Sequence, residues 1–127
     1  MLDGIWIPHG AEFSGEVLPT PASRWVISGT RYIVESEAGR DEGELRIDAA
    51  ASPASVDLVG TSGPHGNKTI RGIFRVRGDL LQLCYDVSGD DRRPVTFATG
   101  KGSMQLMVRY RRITEQSISL DEARLIQ

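Results

Sequence analysis

Short runs of alternating apolar and polar residues, broken by glycine, proline and acidic clusters, recur along the chain. Residues 4–8 open with Gly-Ile-Trp-Ile and close on Pro8, which cannot donate to a strand ladder. Residues 13–18 alternate weakly and end at Pro19. Trp25-Val26-Ile27 and Tyr32-Ile33-Val34 are rich in side chains that suit a pleated surface. Residues 38–43 read as a loop. Residues 44–48 alternate strictly, with Leu45 and Ile47 on one face and charges on the other, the mark of a half-buried strand. Residues 55–59 form another candidate strand, and the glycines, Pro64 and Asn67 of residues 60–68 read as a long turn. In residues 69–77, Ile70, Gly72, Phe74 and Val76 share a face opposite Arg71, Arg75 and Arg77. Gly78-Asp79 predicts a tight turn into a return strand over 80–85. A brief run at 95–97 follows Pro94. Residues 104–111 place Met104, Leu106, Val108 and Tyr110 on one face. The single helical signal is Ser119 with Glu122, a capping box opening a short helix through Ile126.

About nine short strands between glycine and proline turns predict an all-β fold, an antiparallel sandwich or barrel. No βαβ unit is present, which argues against doubly wound nucleotide-binding folds. The 127 residues suffice for one domain with its own core. With 39% hydrophobic and 25% charged residues the chain has the composition of a folded protein. A single cysteine, Cys84, excludes an internal disulfide. No apolar run approaches the roughly 20 residues of a membrane helix, and the first residues lack a signal-peptide pattern, so a cytoplasmic location without a membrane span is expected.

Several segments, taken in order, resemble one family. They are Gly4-Ile5-Trp6, then Ser52-Pro53-Ala54-Ser55-Val56-Asp57-Leu58, Gly72-Ile73-Phe74, Gly78-Asp79-Leu80-Leu81-Gln82-Leu83-Cys84, Arg93-Pro94, Phe97, and a final strand ending in Arg111-Arg112. This succession is similar to the planctomycete-type family of uncharacterised small domains, a bacterial lipocalin-like group. The resemblance implies a lipocalin-like antiparallel β-barrel of about eight to nine strands over residues 1–112, followed by a tail over 113–127 with the short helix. It also implies that Trp6 lies at the closed end beneath an arginine of the last strand, with Arg111 the expected partner and Arg109 and Arg112 the alternatives. Asp57, Asp79 and Arg93 match polar positions of the family pattern and are expected to be structural, Asp79 in its turn and Asp57 paired with Arg93 inside the barrel or at its rim.

The residues that could carry chemistry mostly read as structure. In the 63–69 turn Asn67 separates Gly66 from Lys68 and a strand follows, so it is not a phosphate loop. Asn67-Lys68-Thr69 is a glycosylation sequon without a secretion signal. Two distant histidines, His9 and His65, and one cysteine have no zinc-ligand spacing. The acidic turns at 41–44 and 90–91 follow no calcium-loop spacing. Cys84 has no adjacent base to activate it, and Gly-x-Ser-x-Gly is absent. No catalytic residue, metal site or cofactor is assigned.

Charge is uneven: residues 1–64 carry 4 basic and 10 acidic side chains, whereas residues 65–127 carry 11 basic and 7 acidic. Arginine-rich strands could bind nucleic acid. A pI near 5.7 and 6% aromatic residues argue against it, and the acids of residues 35–48 are expected to pair with those arginines. The expected function is therefore a non-enzymatic barrel holding a small apolar ligand. The interior candidates are Tyr32, Phe74, Val76, Leu83, Tyr85, Leu106 and Tyr110. The alternative is a protein-interaction module whose barrel is filled by its own side chains. Interior volume separates the two.

Overall fold

A computed structural model describes residues 2–88 and 91–113. The helix expected after Ser119 lies outside the described residues. The nine strands are β1 (Gly4–Phe13), β2 (Glu16–Leu18), β3 (Ser23–Ser28), β4 (Arg31–Ser36), β5 (Gly39–Asp48), β6 (Ser55–Ser62), β7 (Thr69–Arg77), β8 (Leu80–Asp86) and β9 (Gln105–Ile113). Eight of them, all but β2, form a closed antiparallel barrel in chain order, with β9 returning to pair with β1. β2 is an extra short strand on the far half of β1. The all-β barrel read from the sequence is the observed architecture. Among the described residues no helix is long and apolar enough to cross a membrane.

Four local expectations are corrected. Pro8 does not end its strand. β1 has left β3 after the Trp6–Trp25 pair and meets β2 only at Ala11, and its register against β9 shifts between Pro8 and Gly10. The missing N–H thus falls at a break in the pairing, where proline costs least. Residues 39–43 are the start of β5 instead of a loop. Their charges lie on an exposed hairpin where Glu35 opposes Arg40, so no apolar alternation marks them. β6 runs on to Ser62, shortening the turn expected from 60. Residues 95–97 form bends rather than a strand. They belong to a strap, residues 91–104, that crosses the outside of the barrel.

Strand direction fixes two ends. β1, β4, β6 and β8 alternate in direction with their neighbours, so the turns at 14–15, 37–38 and 63–68 share one end, the mouth, and those at 29–30, 49–54 and 78–79 share the other, the base. At the mouth, Ser14 and Gly15 have φ of 53° and 83°. Two successive residues in that region make the two-residue hairpin turn that matches strand twist.

The base is sealed by Trp6, which is fully buried. Its indole Nε1 donates to the Leu2 carbonyl at 2.9 Å. The Arg112 guanidinium lies 4.5 Å from its ring centroid. Arg112, not Arg111, is therefore the arginine against Trp6. Trp6 and Arg112 are directly opposed across β1 and β9, so both point inward, whereas Arg111 opposes Ile7 and points out. Arg112 also donates to the Asp3 carbonyl at 2.8 Å and lies 3.4 Å from the Asp79 carboxylate, which ties the 78–79 turn to the seal.

Candidate ligand cavity

Above this seal the barrel is hollow. A cavity of about 930 Å³ opens at the mouth. Its wall comes from the inward faces of β3, β4, β6, β7, β8 and β9: Trp25, Tyr32, Val34, Leu58, Ile70, Leu83, Tyr85, Leu106, Val108 and Tyr110. Five of the seven interior candidates, Tyr32, Leu83, Tyr85, Leu106 and Tyr110, lie in this wall. Phe74 and Val76 do not. β7 runs from mouth to base, so its early residue Ile70 lines the space while Phe74 and Val76 fall in the closed half. There Phe74 is buried, and both border a shallow groove by residues 49–54. β8 runs the other way, so its later residues, Leu83 and Tyr85, reach the cavity.

Sequence reading missed Trp25, Val34, Leu58, Ile70 and Val108. Val34, Ile70 and Val108 lie at even spacing from Tyr32, Phe74 and Leu106, so alternation contained their signal, whereas Trp25 and Leu58 lie on β3 and β6, where the sequence reading assigned no inner face.

The aromatic side chains touch one another. Trp25 stacks on Tyr110 with ring centroids 5.6 Å apart and planes 11° from parallel, and Tyr32 tilts against the same Trp25 at 5.7 Å. The Tyr32 phenol passes over Gly43, where any β-carbon would collide with its ring and hydroxyl. Only glycine leaves that passage open.

Charged groups gather at the mouth. The Asp41 carboxylate accepts from the His65 backbone N–H at 2.8 Å and meets its Nδ1 at 3.0 Å, clasping the 63–68 turn to β5. Burial raises the Asp41 carboxyl, but the His65 bonds outweigh it and hold the pKa below the usual carboxylate range. Lys68, Asp86, Asp91 and Arg92 complete the rim.

On the outer wall, Asp57 and Arg93 pair at 2.6 Å. The expected partners are therefore brought together, on the outside of β6 and not inside the barrel, because Asp57 alternates with the inward Val56 and Leu58. Arg71 joins them, 3.0 Å from Asp57 and bonded to Asp91. Arg93 also donates to the carbonyl of Gly72 at 2.8 Å. The strap pinned this way covers a second apolar cluster of Ile73, Cys84, Met107 and Phe97. At its other end, buried Thr99 donates to Glu12 at 2.6 Å and accepts from the Gly15 N–H at 3.0 Å. The acids of residues 35–48 do not meet the arginines of β7 and β9 as expected. Glu35 and Glu42 pair with Arg24 and Arg40 on their own hairpins, since β4 and β5 are not neighbours of β7 or β9.

Tyr32, Tyr85 and Tyr110 are all the tyrosines of the chain, and all line the cavity. Burial raises the pKa of each. Tyr85 is pushed up to about 12, with the nearby Cys84 adding to the effect. Tyr110 lies well above 10, further opposed by Tyr85. A raised folded pKa stabilises the fold below the unfolded value and loses that contribution as pH climbs through the folded one. Native protein is therefore expected to show far less phenolate absorbance than urea-unfolded protein near pH 10, where free tyrosine is about half ionised. It should lose stability as pH rises toward 12. Coincident native and unfolded titrations would contradict this arrangement.

Comparison with known proteins returned no match, whether to a family model, a curated protein or a solved structure.

Proposed function

We propose that the protein is a non-enzymatic, lipocalin-like barrel that holds a small, mainly apolar molecule in its interior. The observation that carries this reading is the aromatic and aliphatic cavity of about 930 Å³. Ligand sites span roughly 300–1,000 Å³ and are lined mostly by apolar side chains with few polar groups. A small barrel can fill its interior with its own side chains, and that would favour an interaction module. Here the volume supports the carrier.

The titratable groups inside the cavity also support binding over catalysis. Tyrosines moved upward in pKa are poorer bases and nucleophiles near neutral pH, the opposite of the tuning that acid–base chemistry needs. Membership of the bacterial lipocalin-like group belongs to the same proposal, supported by the Gly-x-Trp opening and the arginine that covers its indole. A reducing, cytoplasmic setting fits the free, buried thiol of Cys84.

The test is binding of an uncharged environment-sensitive dye, Nile red, to the native protein and to Leu106→Trp and Val34→Trp. Both positions are only partly buried, so a larger ring can be accommodated by projecting into the empty space. We expect each variant to keep its melting temperature and to lose at least about tenfold in dye affinity, the equivalent of about 1.4 kcal/mol. Unchanged affinity in both would place the dye outside the barrel and remove the support for a carrier.

A further inference from the structure

We propose that the ligand is an uncharged molecule whose apolar body carries a hydrogen-bond acceptor oxygen, a carbonyl or ether, held by the hydroxyls of Tyr85 and Tyr110. The inference rests on the carrier reading and adds the chemistry of the cargo.

Tyr110 is 7% exposed, and Tyr85, on the neighbouring strand β8, is partly buried. Neither hydroxyl makes a hydrogen bond with any of the described residues, and neither is sealed from the cavity space. A molecule that fills the cavity cuts these hydroxyls off from water, and a donor left unpaired there costs free energy. Two such donors in one apolar pocket therefore favour a molecule that brings an acceptor with it. Tyr85 lies opposite Leu106 and Tyr110 opposite Leu81, so the two phenols approach the cavity from adjacent strands, four residues apart along them. Phenol oxygen is a stronger donor than acceptor because its lone pair is delocalised into the ring, which favours an acceptor oxygen over a ligand N–H.

The absence of net charge follows from placement. The ionised side chains bordering the cavity sit at the mouth, and they come in both signs. Arg71 is bonded to Asp57 and Asp91, and His65 to Asp41. A carboxylate carried down to the tyrosines would leave water without a countercharge, which is costly.

Three ring compounds of nearly the same shape test this: fluorene, 9-fluorenone and 9-fluorenecarboxylate, titrated by the quenching of tryptophan fluorescence and by calorimetry. Fluorene is the more hydrophobic of the two neutral probes, so an indifferent apolar cavity prefers it. We expect the opposite order, with fluorenone bound about tenfold more tightly than fluorene and the carboxylate weakest. Tyr85→Phe and Tyr110→Phe should each reduce fluorenone affinity toward that of fluorene and leave fluorene binding unchanged. The phenylalanine variants keep the ring and its packing, so folding is preserved. Equal or tighter binding of fluorene overturns the acceptor proposal and leaves the carrier standing. Tightest binding of the carboxylate overturns the uncharged cargo. Failure of all three probes, with no dye bound either, overturns the carrier and this inference together.

Discussion

Trp6→Ala is expected to destabilise the barrel by about 3–5 kcal/mol in denaturant unfolding, the range for removing a fully buried large aromatic side chain. Three features place the site at the upper part of that range. The indole is completely enclosed. Its N–H fixes the N-terminal segment through Leu2. Its face carries the Arg112 guanidinium, a contact of about 0.5–2 kcal/mol depending on desolvation, so truncation also leaves that cation without its platform. The base sits between strands from both ends of the chain, and β1 and β9 close the barrel there. Loss of Trp6 therefore weakens closure as well as packing. Two further variants check the geometry. Arg111→Ala, on the outward face, should change stability by no more than about 0.5 kcal/mol. Arg112→Ala should cost clearly more, because it removes the stacked guanidinium and its bond to the Asp3 carbonyl. Equal effects of the two arginine variants would contradict the assignment of Arg112.

Alternation separates the two adjacent arginines: Leu106, Val108, Tyr110 and Arg112 share one face of β9, and Arg111 lies on the other. With Tyr110 inward, Arg112 is legible as the inward arginine, and the expectation of Arg111 departs from that period. Alternation does not give depth, because the bulge after Pro8 shifts the β1–β9 register and leaves no periodic trace. The same limit explains Phe74 and Val76. Their inward orientation is legible, but their depth depends on the direction in which β7 crosses the barrel. The strap was illegible for another reason. Val95-Thr96-Phe97 resembles a strand by composition, yet only Phe97 meets an apolar surface, the patch of Ile73, Cys84 and Met107 on the outer wall. That patch is itself hidden in the sequence, since apolar residues on both faces of β7 to β9 blur the two-residue period. By contrast, the barrel class and half of the cavity wall were legible because short runs with frequent turns leave few other ways to bury one face per strand.

Asp57→Ala is the variant expected to separate the strap from the barrel. The Asp57 carboxylate receives Arg93 from the strap at 2.6 Å and Arg71 from β7 at 3.0 Å, and its side chain is only 17% exposed. Charge-assisted hydrogen bonds contribute about 1.5–3 kcal/mol each when enclosed, less where the arginines remain in contact with water. Both arginines are about one-third exposed, so a loss of about 2 kcal/mol for the pair of contacts is the expected scale. Arg93 keeps its bond to the Gly72 carbonyl, and Thr99 keeps the far end attached to Glu12. The strap should therefore open more often without the barrel unfolding. Cys84 reports on that opening. It is fully buried under the strap, and burial pushes its pKa up to about 11, with Glu12 and Asp86 adding to the effect. Closed, it is a poor nucleophile; exposed, it regains an ordinary thiol pKa of about 8.5. If a local opening equilibrium limits its reaction with a thiol reagent, about 2 kcal/mol corresponds to a rate about thirtyfold higher in Asp57→Ala. Breaking the exposed Arg24–Glu35 pair on β3 and β4 is the control, and it should leave the rate of Cys84 unchanged. An unaltered rate in folded Asp57→Ala would show that the strap is held without this carboxylate, by the Phe97 contact, Thr99, the Arg93 bond to the Gly72 carbonyl and the Arg71–Asp91 pair.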